Sequence, residues 1–155
     1  SMQLEWLKNA LLYSKATFKV IVVGSQVMNP LCKYESMRHF TGEYNDFMQF
    51  LLSQKIPGVV FLTGDRHHSE VIKVDRPGSY PLYDVTISPY TAGISKVRDE
   101  ELTNPYRVSN TLVEVQNFAR INVSGKKNER TLQVEYLGLK GEKMGEWQVT
   151  EKELK

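Results

Sequence analysis

One cysteine, Cys32, is the only thiol in this 155-residue chain, so no disulfide can close within it. The compartment stays open, because many exported bacterial proteins also lack disulfides. No histidine or helix start adjoins Cys32 in sequence to lower its pKa, which argues against a cysteine nucleophile. Charge of one sign is missing as well: 20 basic residues face 18 acidic ones, a net of +2. Such a field is too weak to argue for nucleic acid or an anionic membrane. The densest basic run, Lys126-Lys127, reads as a solvated hairpin turn. No apolar stretch is long enough to cross a bilayer. Glycine-rich phosphate cradles and Gly-x-Ser-x-Gly elbows are absent. Ser69 follows His68, but neighbours in a strand or turn diverge and make no nucleophile–base pair. Nor does a leader open the chain. Ser1-Met2 reads as an added dipeptide ahead of a chosen boundary, which leaves the native address unread.

What is present is a composition of 41% hydrophobic and 25% charged residues, that of a folded domain able to bury a core. One domain over residues 1–155 is expected. Its centre is the run Phe61-Leu62-Thr63-Gly64-Asp65-Arg66-His67-His68-Ser69-Glu70. The preceding Gly58 to Leu62 is short, apolar and β-branched, the pattern of a strand covered on both faces. Gly64 is read as permitting the tight turn at its end. Beyond it come a carboxylate, a guanidinium and two imidazoles, at the strand end where α/β sheets bind ligands. Carboxylate and imidazole together suit a metal of intermediate hardness. In an extended segment Asp65 and His67 point to one side and His68 to the other. The alternative, two histidines solvated in a surface loop, stands beside the metal reading.

Ahead of that run, Met2 to Ser14 has Leu4, Leu7 and Leu11 at helical spacing but no N-cap. Ala16 to Val23 is a second buried strand, placing Ser25 and Gln26 at a strand end like that of Asp65. The loop Asn29 to Phe40 holds His39, read as a surface residue. Thr41 is the expected N-cap of a helix with Tyr44, Phe47, Met48, Leu51 and Leu52 on one face. After the run, strands are expected over Val71–Val74, Tyr80–Ser88, Thr111–Val115, Ala119–Val123 and Thr131–Leu137, with an edge strand at Glu146–Val149. Pro89 to Asn110 is a long polar loop of the kind that borders binding pockets. The fold class expected is mixed α/β (α+β): βα units with a parallel pair, then mostly antiparallel strands.

Four blocks taken together resemble the carboxy-terminal part of the PhoD-like (alkaline phosphatase D-like) phosphatases. They are Gln3-Leu4-Glu5-Trp6-Leu7, Ser14 to Ile21, Gly24-Ser25-Gln26-Val27, and Phe61 to Glu70. The resemblance implies the calcineurin-like metallophosphoesterases and the C-terminal half of their four-layer α/β/β/α sandwich. It also implies a centre of two or more divalent or trivalent ions, with Fe, Ca, Mn or Zn as alternatives. Asp65 and His67 match the late metal motif, Asp65 standing where many relatives carry His. Gln26, Arg66 and His68 become candidates for substrate contact, Arg66 either as a bidentate phosphate fork or paired with a nearby acid. The implied reaction is hydrolysis of a small phosphate ester, mono- or diester, by metal-activated water. The implied home is the bacterial periplasm or cell surface.

The early metal motifs of that superfamily have no counterpart ahead of this segment, and the only Gly-Asp is Gly64-Asp65. A cation takes about four to six ligands, whereas Asp65, His67 and Gln26 offer two or three. The expected partner is therefore an amino-terminal half of the same polypeptide. Alone, this chain is expected to be inactive, with its metals incomplete or absent. An orphaned sheet surface makes a homodimer or strand exchange a further expectation. The alternative function is a non-catalytic α/β module that binds a ligand or protein.

Overall fold

A computed structural model describes residues 1–155. Helix α1 (Met2–Tyr13) turns Leu4 and Leu11 inward, two turns apart on one stripe. The sequence showed no cap, yet Ser1 serves as one: its Oγ accepts the Leu4 N–H at 3.4 Å. Helix α2 (Thr41–Ser53) buries Phe47 and Leu51. Thr41 is not its N-cap; Phe40 is, with no side-chain bond. The reason is the 3₁₀ turn Met37–His39, itself capped by Ser36, which runs straight into the helix and leaves the threonine hydroxyl no role.

Four strands form the first sheet: β1 (Lys19–Val22), β2 (Val59–Thr63), β3 (Glu70–Arg76) and β4 (Ser79–Thr86), in the order β1-β2-β4-β3. β1, β2 and β4 are mutually parallel, and β3 runs antiparallel to β4. The expected β3–β4 hairpin is present, but β4 also fits between β2 and β3 as a third parallel strand. β2 is sealed on both faces, with Val59, Val60 and Phe61 fully buried. Phe61 meets Phe47 of α2 edge-on, ring centres 6.3 Å apart. Burying one such side chain stabilises by about 1.5–3 kcal/mol. Gly58 makes the start of β2 possible. Its φ is +75°, and a Cβ there would overlap the Thr17 carbonyl oxygen.

The second sheet is a meander of β5 (Asn117–Ser124), β6 (Thr131–Gly138) and β7 (Lys143–Thr150). Leu132, Val134, Tyr136, Trp147 and Val149 face the first sheet and join its core. Trp147 packs on Tyr83 with ring centres 4.8 Å apart. The Tyr136 hydroxyl lies 3.2 Å from the carbonyl oxygens of both Glu70 and Thr86, pinning sheet to sheet. Helices, sheet and sheet thus stack in that order.

The expected strand at Thr111–Val115 does not form. Only Val113 bridges to Ser69, because the Thr111 hydroxyl takes the Val71 N–H at 3.0 Å where a neighbouring strand's carbonyl would stand.

Candidate functional site

Because β1, β2 and β4 are parallel, their carboxyl ends share one rim. Loops Gly24–Asn29, Gly64–Ser69 and Ile87–Pro89 meet there. Asp65 and His67 both have left-handed backbone, φ 66° and 60°. The extended geometry expected for them gives way to a coiled turn. The His67 N–H donates to Ser88 Oγ at 3.0 Å, and its carbonyl accepts from Ser95 N–H at 2.9 Å. Asp and His tolerate this region better than most side chains, and such conformations gather where side chains must be aimed. The expected freedom at Gly64 is used differently: its backbone is not left-handed, and a Cβ there would approach the Gly24 carbonyl to 3.4 Å.

Asp65 is exposed, and its carboxylate has no hydrogen-bond or ion-pair partner. His67 Nδ1 lies 2.7 Å from the Gly93 carbonyl oxygen. A carbonyl can only accept, so Nδ1 carries the proton, and in the neutral imidazole Nε2 keeps the lone pair. A backbone carbonyl orienting the far ring nitrogen is also how ligating histidines are commonly held. Asp65 and His67 line one cleft of about 310 Å³ with Tyr34, Glu35, Arg66 and Ser95. Carboxylate oxygen and imidazole nitrogen are donor types that a cation takes. No set of three His, Cys, Asp or Glu groups comes together to enclose one, although Glu35 borders the same cleft.

Beneath the cleft lies a buried polar network. Arg66 Nη1 and Nη2 reach Glu101 Oε1 and Oε2 at 3.0 and 2.7 Å, a bidentate fork onto an acid. Nη1 also donates to Gln26 Oε1 at 2.6 Å and lies 3.1 Å from Cys32 Sγ. Burial pushes the Cys32 thiol up, against the pull of Arg66. Gln26, fully buried, has its amide saturated by protein. Its Nε2 donates to Glu70 Oε1 and Thr86 Oγ1 at 2.8 and 2.9 Å, and its Oε1 also accepts from Asn29 Nδ2 at 3.0 Å. His68 is buried too, with Nδ1 3.2 Å from the Ser95 carbonyl and Nε2 3.4 Å from Glu70 Oε1, out of line for a hydrogen bond. The rim thus gathers Asp65 and His67, while Arg66 joins Gln26 and His68 among the buried groups and only edges the cleft.

Burial opposes ionisation of Glu70, but His68, Arg107 (Nε to Oε2, 2.7 Å) and Gln26 together outweigh it and hold the carboxyl at about 2. Asp84 shows the reverse balance. Full burial pushes it up to about 6, against hydrogen bonds from Thr63, Met28 and Val27. Those bonds tie the loop after β1 to β4 and so fix the rim.

The loop Pro89–Asn110 does border the cleft, through Gly93 and Ser95, and its 3₁₀ turn Asp99–Thr103 presents Glu101. A second cleft of about 190 Å³ adjoins the first, sharing Tyr34, Arg66 and Ser95 and adding Lys33, Lys96 and Arg98 opposite Asp99 and Glu100. Sequence reasoning did not single out Glu101, Arg107 or Asn29. Nothing in Asp99-Glu100-Glu101 marks the third acid as the partner of an arginine 35 residues upstream.

Two packed sheets of this order, with helices on one, define a mixed α/β fold. Among solved structures the chain is similar to one described as the structure of PhoD, with a TM-score of 0.68 and 19% identity. The likeness covers 97% of this chain and 31% of that one, so the chain has a PhoD-like fold and spans about a third of that protein. No protein-family model and no curated protein sequence matches.

Proposed function

We propose that this chain is the carboxyl-terminal part of a metal-dependent phosphatase or phosphodiesterase, in which Asp65 and His67 supply two of the metal ligands. The observation that carries the reading is the free Nε2 of His67, its tautomer set by the Gly93 carbonyl, in one cleft with the unpartnered Asp65 carboxylate. A cation held there supplies Lewis-acid polarisation of the ester and lowers the pKa of water. The protein's own part is positioning. Ser88 and Ser95 fix the turn that carries His67, and Glu101 takes the Arg66 guanidinium in a bidentate ion pair, so that Arg66 braces the cleft wall. Two ligands are too few for a cation of this kind. The others come from polypeptide outside these residues, an amino-terminal half in this reading, and the isolated chain is inactive.

The test compares the gene's full reading frame with this chain by elemental analysis and hydrolysis of p-nitrophenyl phosphate and its bis ester. Tightly held metal and turnover are expected only in the longer protein. Asp65→Asn and His67→Asn there should each lower metal content with the fold intact by circular dichroism, since neither side chain is in the core and Asn tolerates left-handed backbone. A longer protein with neither metal nor turnover, or variants that keep both, overturns the reading and favours a binding module.

A further inference from the structure

Gly93 sets the tautomer of His67 from a segment with little to hold it. Residues 91–96 are exposed and form neither helix nor strand. On one side, the Thr91 and Ala92 carbonyls receive only Gln116 Nε2, at 3.3 and 3.2 Å. On the other, the Val97 N–H donates to Glu114 Oε1 at 2.8 Å. Between these points, apart from the Gly93 contact itself, the segment is fastened at Ser95. Both peptide groups of Ser95 are taken, and by consecutive residues. Its N–H donates to the His67 carbonyl at 2.9 Å, and its carbonyl lies 3.2 Å from His68 Nδ1.

A carbonyl only accepts, so His68 Nδ1 is the donor in that contact. The residue is 1% exposed, and its ring cannot swing out to follow a moving loop. Its other nitrogen is poorly served. Nε2 is buried, stands 3.4 Å from Glu70 Oε1 and makes no hydrogen bond. An orphaned buried nitrogen costs stability that an apolar ring of similar size would keep. Glu70 is also supplied without it: Arg107 Nε and Gln26 Nε2 donate to its two oxygens at 2.7 and 2.8 Å. The one hydrogen bond that the imidazole does make fixes the loop two residues beyond Gly93.

We propose that His68 is a positioning residue for His67: by holding the Ser95 carbonyl it keeps the Gly93 carbonyl against His67 Nδ1, and so keeps the lone pair on Nε2. Released from that strap, the Gly93 carbonyl moves off, and the His67 proton returns to Nε2, the tautomer a free histidine side chain prefers. Outer partners that orient a ligating imidazole act in this way. The inference rests on the metal reading for the use of the lone pair, but the tautomer is a property of this chain alone.

Two polar variants separate positioning from a structural role. Asparagine puts its amide where Nδ1 stands and still donates to Ser95. Glutamine carries its amide to the place of Nε2, where Glu70 accepts it and Ser95 is let go. Long-range proton–nitrogen correlation spectra of histidine-labelled chain read each ring's tautomer. Wild type and His68→Asn should show His67 protonated on Nδ1, and a folded His68→Gln should show it shifted to Nε2. In the gene's full reading frame, Zn²⁺ as probe ion, titrated against a chromophoric chelator, should bind His68→Gln about tenfold to a hundredfold more weakly than the other two. A His67 already protonated on Nε2 in the wild type overturns the proposal. So does a His68→Gln chain that keeps the proton on Nδ1, or one that fails to fold, which would make the role structural. The expected tautomers with no Zn²⁺ bound by any form would leave the positioning intact and remove the metal reading instead.

Discussion

Glu70→Gln tests whether the buried network holds the fold in its charged form. The Glu70 side chain is wholly buried, yet its carboxyl stays ionised down to about 2, against 4.5 when free. At about 1.4 kcal/mol per pKa unit, that depression contributes about 3 kcal/mol of stability. A depressed carboxyl contributes fully above its unfolded value and loses the contribution as the proton binds. The term is therefore complete above pH 4.5 and disappears as pH falls through about 2. Glutamine keeps the shape and can still meet Gln26, but it leaves the Arg107 guanidinium without its anion at 2.7 Å. Breaking a buried ion pair from one side costs about 3–5 kcal/mol, which agrees in size. Urea unfolding of both proteins from pH 7 to pH 2.5 separates this group from the other carboxylates, because only the difference between the curves matters. The variant should be less stable by about 3 kcal/mol at pH 7, and the gap should narrow as pH drops below 4.5. A constant gap, or none at pH 7, would refute the reasoning.

Asp84 predicts the opposite slope. With its carboxyl raised from 3.8 to about 6, its contribution is complete below pH 3.8 and lost as pH rises through about 6, up to about 3 kcal/mol. Asp84→Asn should abolish that loss: equal stability at pH 4 and a more stable variant at pH 7, read from the same urea curves. Its amide can still serve Thr63 on one side and the Val27 and Met28 N–H groups on the other. Gly58→Ala should lower Tm by roughly 10 °C, from about 3 kcal/mol of left-handed strain and a clash with the Thr17 carbonyl, measured by thermal circular dichroism. A shift under about 2 °C would mean that β1 and β2 can separate more freely than their register implies.

The sequence by itself determined the elements. Apolar runs bounded by Pro and Gly gave β2 its place, helical spacing gave α1 and α2 theirs, and alternation gave the later strands within a few residues, except at Thr111–Val115, where none forms. It also located the polar turn at Asp65 to His68, because such residues have no business directly after a buried strand unless something meets them there. Tertiary structure decided the rest. Alternation cannot say which strands become neighbours, so the insertion of β4 between β2 and β3 was not legible. Local spacing likewise predicts an extended Asp65–His67 pair, whereas bonds from Ser88 and Ser95 coil it. Whether Arg66 faces a ligand or an acid depended on Glu101, brought to it by a loop whose path only packing sets. Periodicity is a property of neighbours along the chain; pairing and charge compensation belong to neighbours in space.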